Sequence, residues 1–172
     1  FEKQENIKKQ KEVFIAQIEF AKKVKKPLIV HIREASNDSR QILMDYNAKE
    51  VGGVLHCYNA SEHLLPLSEH NFYFGIGGVL TFKNAKKLIE VLPKIPKDKL
   101  LIETDAPYLT PHPHRGERNE PFYTVFVSKK ISELLEISDE EIQNLDILFN
   151  CLEAGQEAYY ERKNRTYEIL KD

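Results

Sequence analysis

The sequence predicts an α/β fold in which a parallel sheet is connected by helical crossovers. Short apolar runs rich in β-forming residues alternate with amphipathic helical segments along the chain. The predicted strands end near residues 31, 56, 77 and 105, a spacing of roughly 20–30 residues that suits a strand followed by a crossover helix.

The first half of the chain contains two predicted strands. From Gln4 to Val24, apolar residues recur at three- and four-residue spacings, which predicts an amphipathic helix that ends before Pro27. Leu28–Val30 predicts a short buried strand that leads into His31. A helix over about 38–46 and a strand over 52–55 that leads into His56 complete this half.

The second half repeats the pattern. It contains a predicted helix over 61–70, with Pro66 tolerable only near its edge, and a strand over 72–76. A helix over 84–92 and a strand over 100–102 follow. After a Pro- and His-rich loop over 107–121, the pattern predicts helices over about 122–136 and 139–149. Ser138 and Glu141 have the spacing of a capping box that opens the last helix.

Length and composition exclude several classes of protein. The 172 residues are 41% hydrophobic, which argues against global disorder. Two cysteines are too few for a disulfide framework or a CxxC metal site, so we expect a reducing, cytoplasmic compartment. No apolar run approaches the roughly 18 residues that span a bilayer, so no membrane association is expected. A complete (β/α)8 barrel needs about 250 residues, which is more than this chain provides.

The net charge of −2 conceals a gradient along the chain. Residues 1–26 carry eight Lys and four Glu, whereas residues 133–172 carry four Lys and Arg against eleven Asp and Glu. A protein that grips duplex nucleic acid along a whole face is usually markedly basic. Any nucleic-acid contact is therefore expected to be local, and the lysine-rich start is interpreted as a solvated helix face.

Three of the four predicted strands end on side chains that can bind a metal ion: His31, His56 and Asp105. In parallel α/β folds, functional residues collect at the carboxyl ends of the strands. Two imidazoles and a carboxylate suit Zn or Mn, whereas a site richer in oxygen ligands would favour Mg. Each histidine could instead be a hydrogen-bonded structural residue. The remaining strand ends at Gly77-Gly78, which allows a close approach of backbone.

Other polar residues near these strand ends have more than one interpretation. Arg33 lies on the same side of an extended chain as the first strand-end histidine, where it could clamp a phosphate. It could equally form a surface ion pair with Glu34 or Asp38. His112 and His114 form an HxH pair, but the prolines around them make a rigid exposed loop as reasonable as a pair of ligands.

Glu103 and Asp105 could lie on one face, where a cation would offset the repulsion between two buried carboxylates. Cys57 follows His56 directly. Because neighbours on a strand point to opposite faces, we expect Cys57 to pack away from the site as a small apolar residue.

Five segments together resemble consecutive motifs of one protein family. They are PLIVHIREA at 27–35, GVLHCY at 53–58, IGG at 76–78, LIETDAPYL at 101–109 and RGERNEP at 115–121. These motifs resemble those of the TatD-type deoxyribonucleases, which are metal-dependent hydrolases among the amidohydrolase-like barrels. The resemblance covers roughly residues 4–145.

The resemblance implies a TIM-type (β/α)8 barrel with a divalent metal centre, often of two ions (Mg, Mn or Zn), at its C-terminal rim. The family pattern has an HxH on the first strand, Glu on the fourth, His on the fifth and sixth, and Asp on the eighth. His31 matches the fifth-strand His, His56 the sixth-strand His and Asp105 the eighth-strand Asp. In such enzymes that Asp also helps to activate or orient the attacking water.

The resemblance also implies a substrate-binding group. Arg33 and Glu103 match motif residues that line the pocket, and Asn119 lies in a motif loop near it. We therefore expect these three residues to bind substrate. Arg115 and Arg118 are further candidates for holding a phosphate.

The chain departs from the family pattern at both ends. The first-strand HxH and the fourth-strand Glu have no counterpart, and the pair at 112 and 114 follows the eighth strand. We therefore expect this chain to supply strands 5–8 and their helices, with strands one to four upstream of Phe1. Residues 1–145 are predicted as the C-terminal half of a hydrolase barrel and residues 146–172 as an acidic helical tail of the same domain.

The activity that the resemblance implies is hydrolysis of phosphodiester bonds in DNA by metal-activated water. The near-neutral charge favours a single strand or a strand end as the DNA partner, and the pattern predicts no particular oligomeric state. One alternative is hydrolysis of a small phosphate, lactone or aminoacyl ester on the same barrel. A second alternative is an inactive half-barrel fragment.

Overall fold

The computed structural model describes residues 4–138 and 141–142, and its centre is a four-stranded parallel sheet. The strands lie side by side in chain order: β1 (Leu28–His31), β2 (Gly53–His56), β3 (Phe72–Ile76) and β4 (Leu100–Ile102). All three neighbouring pairs are parallel, so each connection is a crossover. The predicted α/β fold with a parallel sheet is confirmed, and every strand lies within a residue or two of its predicted position.

Within the described part of the chain, four α-helices accompany the sheet. They are α1 (Gln4–Val24), α2 (Ser36–Asp45), α3 (Lys86–Val91) and α4 (Thr124–Leu135). The segment Glu62–His70, predicted as an α-helix, forms a 3-10 helix around Pro66. Proline removes a backbone donor and its ring clashes with the preceding turn, which disfavours the α-helical ladder there.

The predicted capping box at the chain's last described residues is confirmed. The Ser138 N–H donates to Glu141 Oε2 over 2.8 Å, and the Glu141 N–H donates to Ser138 Oγ over 3.0 Å. These hydrogen bonds from the Ser138 backbone and hydroxyl hold the pKa of Glu141 below its usual value. The rest of the predicted helix over 139–149 and the predicted tail over 146–172 lie outside the described residues.

The two faces of the sheet have different surroundings. One face packs against the helices, and its side chains form the core together with apolar residues of the helical segments. Fully buried members of this core include Leu55, Phe72, Phe74, Leu100, Leu43, Leu64 and Ile131. The opposite face carries the alternate residues of each strand, among them Ile29, which is 78% exposed on β1. Within the described residues, no helix is both long and apolar enough to cross a membrane.

Candidate functional site

The strand register brings the three predicted strand-end residues to one edge of the sheet. His31 pairs with His56 across β1 and β2, and their ring centroids lie 6.0 Å apart. Asp105 follows β4, yet its Oδ1 lies 3.0 Å from His56 Nε2. Because parallel strands all end at the same edge, residues 49 positions apart in the chain become neighbours.

Glu103 extends across the sheet to the same histidine. It follows β4 directly, and its Oε2 lies 2.9 Å from His56 Nδ1. Its other oxygen, Oε1, accepts the backbone N–H of Cys57. The Glu103 side chain is only 16% exposed. Both ring nitrogens of His56 therefore face carboxylates, one from Glu103 and one from Asp105.

Gly75 on β3 makes room for this reach. A Cβ built on Gly75 would overlap the Glu103 carboxylate, 2.6 Å from Oε1 and closer still to Oε2. The absence of a side chain on β3 thus lets Glu103 extend from β4 to the end of β2. A Cβ on Gly77, by contrast, would meet nothing closer than 3.5 Å. Sequence reasoning missed Gly75, although a glycine inside a strand is a known signal of close approach.

The close backbone approach predicted for Gly77-Gly78 occurs at Gly78. A Cβ there would overlap the carbonyl oxygen of Leu109 and lie 3.2 Å from the nitrogen of Pro111. The loop that follows Asp105 therefore lies directly on the end of β3. This contact fixes the loop next to the candidate site.

Burial and charge oppose each other at the carboxylate–imidazole cluster. Burial alone would lower the pKa of His56. The hydrogen bonds that Glu103 and Asp105 form with the ring, together with their negative charges, outweigh the effect of burial, so the pKa of His56 is raised. Burial raises the pKa of Glu103, and the hydrogen bonds from His56 and the Cys57 N–H offset this only in part. Both carboxylates thus face one imidazole, and a cation at this edge of the sheet would offset the cost of burying their negative charge.

The predicted orientation of Cys57 is wrong. Strand β2 ends at His56, and Cys57 takes a left-handed backbone conformation with φ of 49°, so the alternation of strand neighbours no longer applies. Its thiol hydrogen-bonds to the Asp105 side chain. Burial, followed by that hydrogen bond and the charge of Asp105, raises the pKa of the thiol to about 12. A thiol held protonated in this way is a poor nucleophile.

Asn119 is buried and supports the loop that carries Asp105. Its side chain is 3% exposed, and Nδ2 donates to Tyr108 O over 2.6 Å and to Thr104 Oγ1 over 3.1 Å. Its backbone N–H donates to Pro107 O over 3.0 Å. The one remaining polar atom, Oδ1, is buried without a hydrogen-bond partner among the described residues. Every donor of Asn119 is thus used on the 104–108 segment.

Arg33 lies at the end of β1, exposed beside His31. It lines a groove of about 1190 Å³ between α1, β1 and α2. Asp38, one of its predicted ion-pair partners, binds Lys11 instead, with Nζ 2.7 Å from Oδ2. No ion pair of the described residues includes Arg33.

The other two arginines predicted to hold a phosphate, Arg115 and Arg118, differ in whether their guanidinium groups are accessible. The Arg115 guanidinium stacks on Phe82, 3.8 Å from the ring centroid, and donates to Thr110 O over 3.0 Å. Arg118 is exposed, with Nε 3.6 Å from a carboxylate oxygen of Glu120. Arg115 is therefore committed to holding its loop, whereas Arg118 remains accessible to an anion.

The HxH pair after β4 serves to anchor its loop. His114 stacks on Tyr123 with ring centroids 4.4 Å apart, and its Nδ1 lies 3.1 Å from Glu117 Oε2. The His112 ring lies elsewhere, with its centroid 6.5 Å from that of Phe82, and the His112 backbone N–H donates to Thr81 Oγ1 over 2.9 Å. The structure thus directs the two histidines to separate neighbours.

The donors at the strand ends have the right chemistry for a divalent ion. Two imidazoles and a carboxylate are the ligand types that hydrolytic Zn and Mn sites use. In residues 4–138 and 141–142, however, no group of three or more His, Cys, Asp or Glu side chains is already arranged to hold an ion. His31, His56 and Asp105 therefore form a partial ligand set that needs further donors.

Comparison with known proteins identifies the family. Residues 1–147 match the model of the TatD related DNase family. The chain belongs to the TatD family. It is 50% identical over 137 residues to the uncharacterized metal-dependent hydrolase YabD of Bacillus subtilis, covering 79% of this chain and 54% of that protein. It is 38% identical over 135 residues to the uncharacterized metal-dependent hydrolase YcfH of Escherichia coli K12, covering 78% and 51%.

The fold agrees with this membership. The crystal structure of YjjV, a TatD homologue from Escherichia coli K12, aligns with a TM-score of 0.76 at 26% identity. The alignment covers 84% of this chain and 56% of YjjV. The chain thus spans about half the length of the curated relatives that it matches.

Proposed function

We propose that the protein containing this chain is a metal-dependent hydrolase that cleaves phosphodiester bonds in DNA. The observation that carries the proposal is the meeting of His31, His56 and Asp105 at one edge of the sheet. Membership of the TatD family supports it, and the relatives YabD and YcfH are named as metal-dependent hydrolases. A cytoplasmic location, expected from the two cysteines, stays a prediction.

We propose further that the chain contributes strands 5–8 of a (β/α)8 barrel, with residues 1–145 as its C-terminal half and 146–172 as a tail of the same domain. Four parallel strands in unbroken chain order are what half of such a barrel contains. The extent of the match, just over half of YjjV, supports the same division. The ligands that complete the partial set would then come from the other half.

In this proposal His31, His56 and Asp105 hold the metal ions. We expect two divalent ions, which are Mg, Mn or Zn. When bound, such ions lower the pKa of water towards neutrality and stabilise negative charge on the attacking and leaving oxygens. The Asp105 carboxylate orients the attacking water and accepts its proton. Asp105 is suited to this role because it follows β4 at the edge of the sheet where the metal-binding residues meet, with its Oδ1 3.0 Å from His56 Nε2.

Arg33 is the proposed phosphate-binding residue. It is two residues beyond His31, it is exposed, and its guanidinium offers paired donors that match phosphate oxygens. Arg118 is a second, more distant candidate. Glu103 and Asn119, which we expected to contact substrate, use their polar atoms mainly within the protein, so we propose that they support substrate binding indirectly.

Exposed aromatic rings near the site favour a single strand or a strand end as substrate. Tyr108 is 73% exposed, and its backbone N–H donates to Asp105 O over 2.7 Å. This hydrogen bond closes a tight turn, so Tyr108 lies close to the proposed catalytic residue. Phe122, 67% exposed, lies three residues beyond Asn119. Aromatic rings stack on unpaired bases, and each such contact contributes about 1–3 kcal/mol.

The proposal is tested with the full-length protein on single-stranded DNA in the presence of Mg²⁺ or Mn²⁺. We expect His56→Ala to lose nearly all activity, and His63→Ala, an exposed histidine away from the site, to retain it. Equal activity of His56→Ala and the wild type would contradict the assignment of the site.

Competition between DNA and small phosphate esters, lactones or aminoacyl esters separates the proposal from its closest alternative. The alternative predicts turnover of a small ester that DNA does not inhibit. Metal content and activity of residues 1–172 alone test the remaining alternative, an inactive half-barrel.

A further inference from the structure

We propose that Glu103 is a positioning residue, which fixes His56 with its proton on Nδ1 and so leaves Nε2 as the metal-binding atom. Gly75 provides the space in which Glu103 does this. The inference rests on the proposed function in one respect only, namely that His56 holds a metal ion. It replaces direct contact with substrate as the main role of Glu103.

The first step in the argument is the number of donors and acceptors. An ionised carboxylate can only accept hydrogen bonds. Oε1 of Glu103 accepts the backbone N–H of Cys57, a group that can only donate. Oε2 lies 2.9 Å from His56 Nδ1, so in this contact Nδ1 carries a proton. Nε2 lies 3.0 Å from Asp105 Oδ1, which can also only accept, so without a metal ion the two carboxylates share the ring's protons. A cation bound by Nε2 and Asp105 would take the place of the Nε2 proton and leave Nδ1–H on Glu103.

The second step is that neither oxygen of Glu103 is free to contact a substrate. Both of its oxygens are engaged, and the side chain is mostly buried. A substrate-binding carboxylate would need a free oxygen directed to solvent. A carboxylate on the far ring nitrogen is, in contrast, the usual way in which proteins orient a metal-binding histidine.

The third step concerns how Glu103 reaches His56 at all. The two residues belong to β4 and β2, and β3 lies between those strands. Any side chain at position 75 would occupy the volume of the Glu103 carboxylate. The glycine, the carboxylate and the histidine therefore form a single unit that extends across three strands.

Glu103→Gln separates a positioning role from a merely structural one, because the amide has nearly the shape of the carboxylate but only one accepting oxygen. If that oxygen stays on the Cys57 N–H, the amide NH2 faces His56 Nδ1, which must then accept. The His56 proton moves to Nε2, and the metal-binding lone pair is lost.

The experiment uses the full-length protein labelled with 15N at histidine. Nuclear magnetic resonance of the metal-free protein, at a pH where the ring is neutral, reports the His56 tautomer, and titration against a chelator reports the affinity for Zn²⁺. We expect a larger Nδ1–H population in the wild type than in Glu103→Gln, where Nε2–H dominates, and a 10–100-fold loss of Zn²⁺ affinity in the variant. Equal Nδ1–H populations in the two proteins, or equal Zn²⁺ affinities, overturn the proposal.

A second variant tests the same unit without changing any polar group. Gly75→Ala is expected to displace Glu103 and to lower Zn²⁺ affinity and the Nδ1–H population together. Gly77→Ala is its matched control, because the added Cβ has room. Equal behaviour of the two alanine variants overturns the proposal. Neither readout depends on DNA cleavage, so a wild type that binds Zn²⁺ with the expected tautomer but cleaves no DNA contradicts only the proposed function.

Discussion

Removing the Asn119 side chain is predicted to destabilise the loop that carries Asp105. Asn119→Ala deletes two hydrogen bonds from Nδ2, to Tyr108 O and to Thr104 Oγ1. A typical hydrogen bond contributes about 1 kcal/mol net to the stability of a protein. The Thr104 hydroxyl still accepts the Ala106 N–H, so its share of the loss is small. Because Oδ1 already lacks a partner, deleting it costs nothing.

The two hydrogen bonds give an expected loss of about 1–2 kcal/mol in the free energy of unfolding. Asn119→Asp is expected to be worse, because a carboxylate has no N–H to offer and would place a buried charge against two acceptors. Urea unfolding of the full-length protein, followed by circular dichroism, measures both variants. Asn84→Ala, an exposed asparagine, serves as control and is expected to stay within about 0.5 kcal/mol of the wild type.

Two results would refute this reasoning. An Asn119→Ala variant as stable as Asn84→Ala would mean that the Nδ2 hydrogen bonds carry no net free energy. An Asn119→Asp variant more stable than Asn119→Ala would mean that the site accepts a negative charge, contrary to the two acceptors that face it.

Three further predictions follow from contacts described above. Gly78→Ala places a Cβ against Leu109 O and is expected to cost about 1–3 kcal/mol in thermal or urea unfolding, while alanine at the preceding residue costs much less. Ser138→Ala removes the hydroxyl that helps to lower the pKa of Glu141 but keeps the backbone N–H of residue 138, so nuclear magnetic resonance titration should show that pKa rising part of the way to its ordinary value; an unchanged pKa would contradict the capping geometry. In the wild type, the cap's contribution to stability is complete above the ordinary pKa and is lost as the pH falls through the lowered one. Tyr108→Ala is expected to raise KM for single-stranded DNA about 5–100-fold without affecting a small ester, as the loss of one stacking contact requires; equal effects on both substrates would refute base stacking.

The sequence predicts the strands well because their apolar runs are short, distinct and separated by regular helical segments. Glu62–His70 differs from prediction because Pro66 prevents an α-helical ladder in a segment whose apolar pattern still suits a helix. The meeting of His31, His56 and Asp105 is also predictable, since a parallel sheet places all strand ends at one edge.

The remaining features of the site depend on side-chain reach and backbone conformation, which periodicity does not encode. Glu103 touches His56 only because the strand between them has a glycine at position 75. Cys57 turns towards Asp105 because the chain leaves the strand conformation directly after His56. Asn119 is buried by the loop that it holds, and a polar residue in an irregular segment gives no sequence signal of such burial.

The order of the strands has a consequence for how the molecule folds. Each strand pairs with the next one along the chain, so partners such as Leu28 and Gly53 are separated by only 25 residues. Each of these pairs closes a loop of moderate length, so less chain entropy is lost than in pairing strands from opposite ends of the chain. The contact between His56 and Glu103 spans 47 residues and passes over the intervening strand. The cluster at the sheet edge can therefore form only after the strands beneath it are in register.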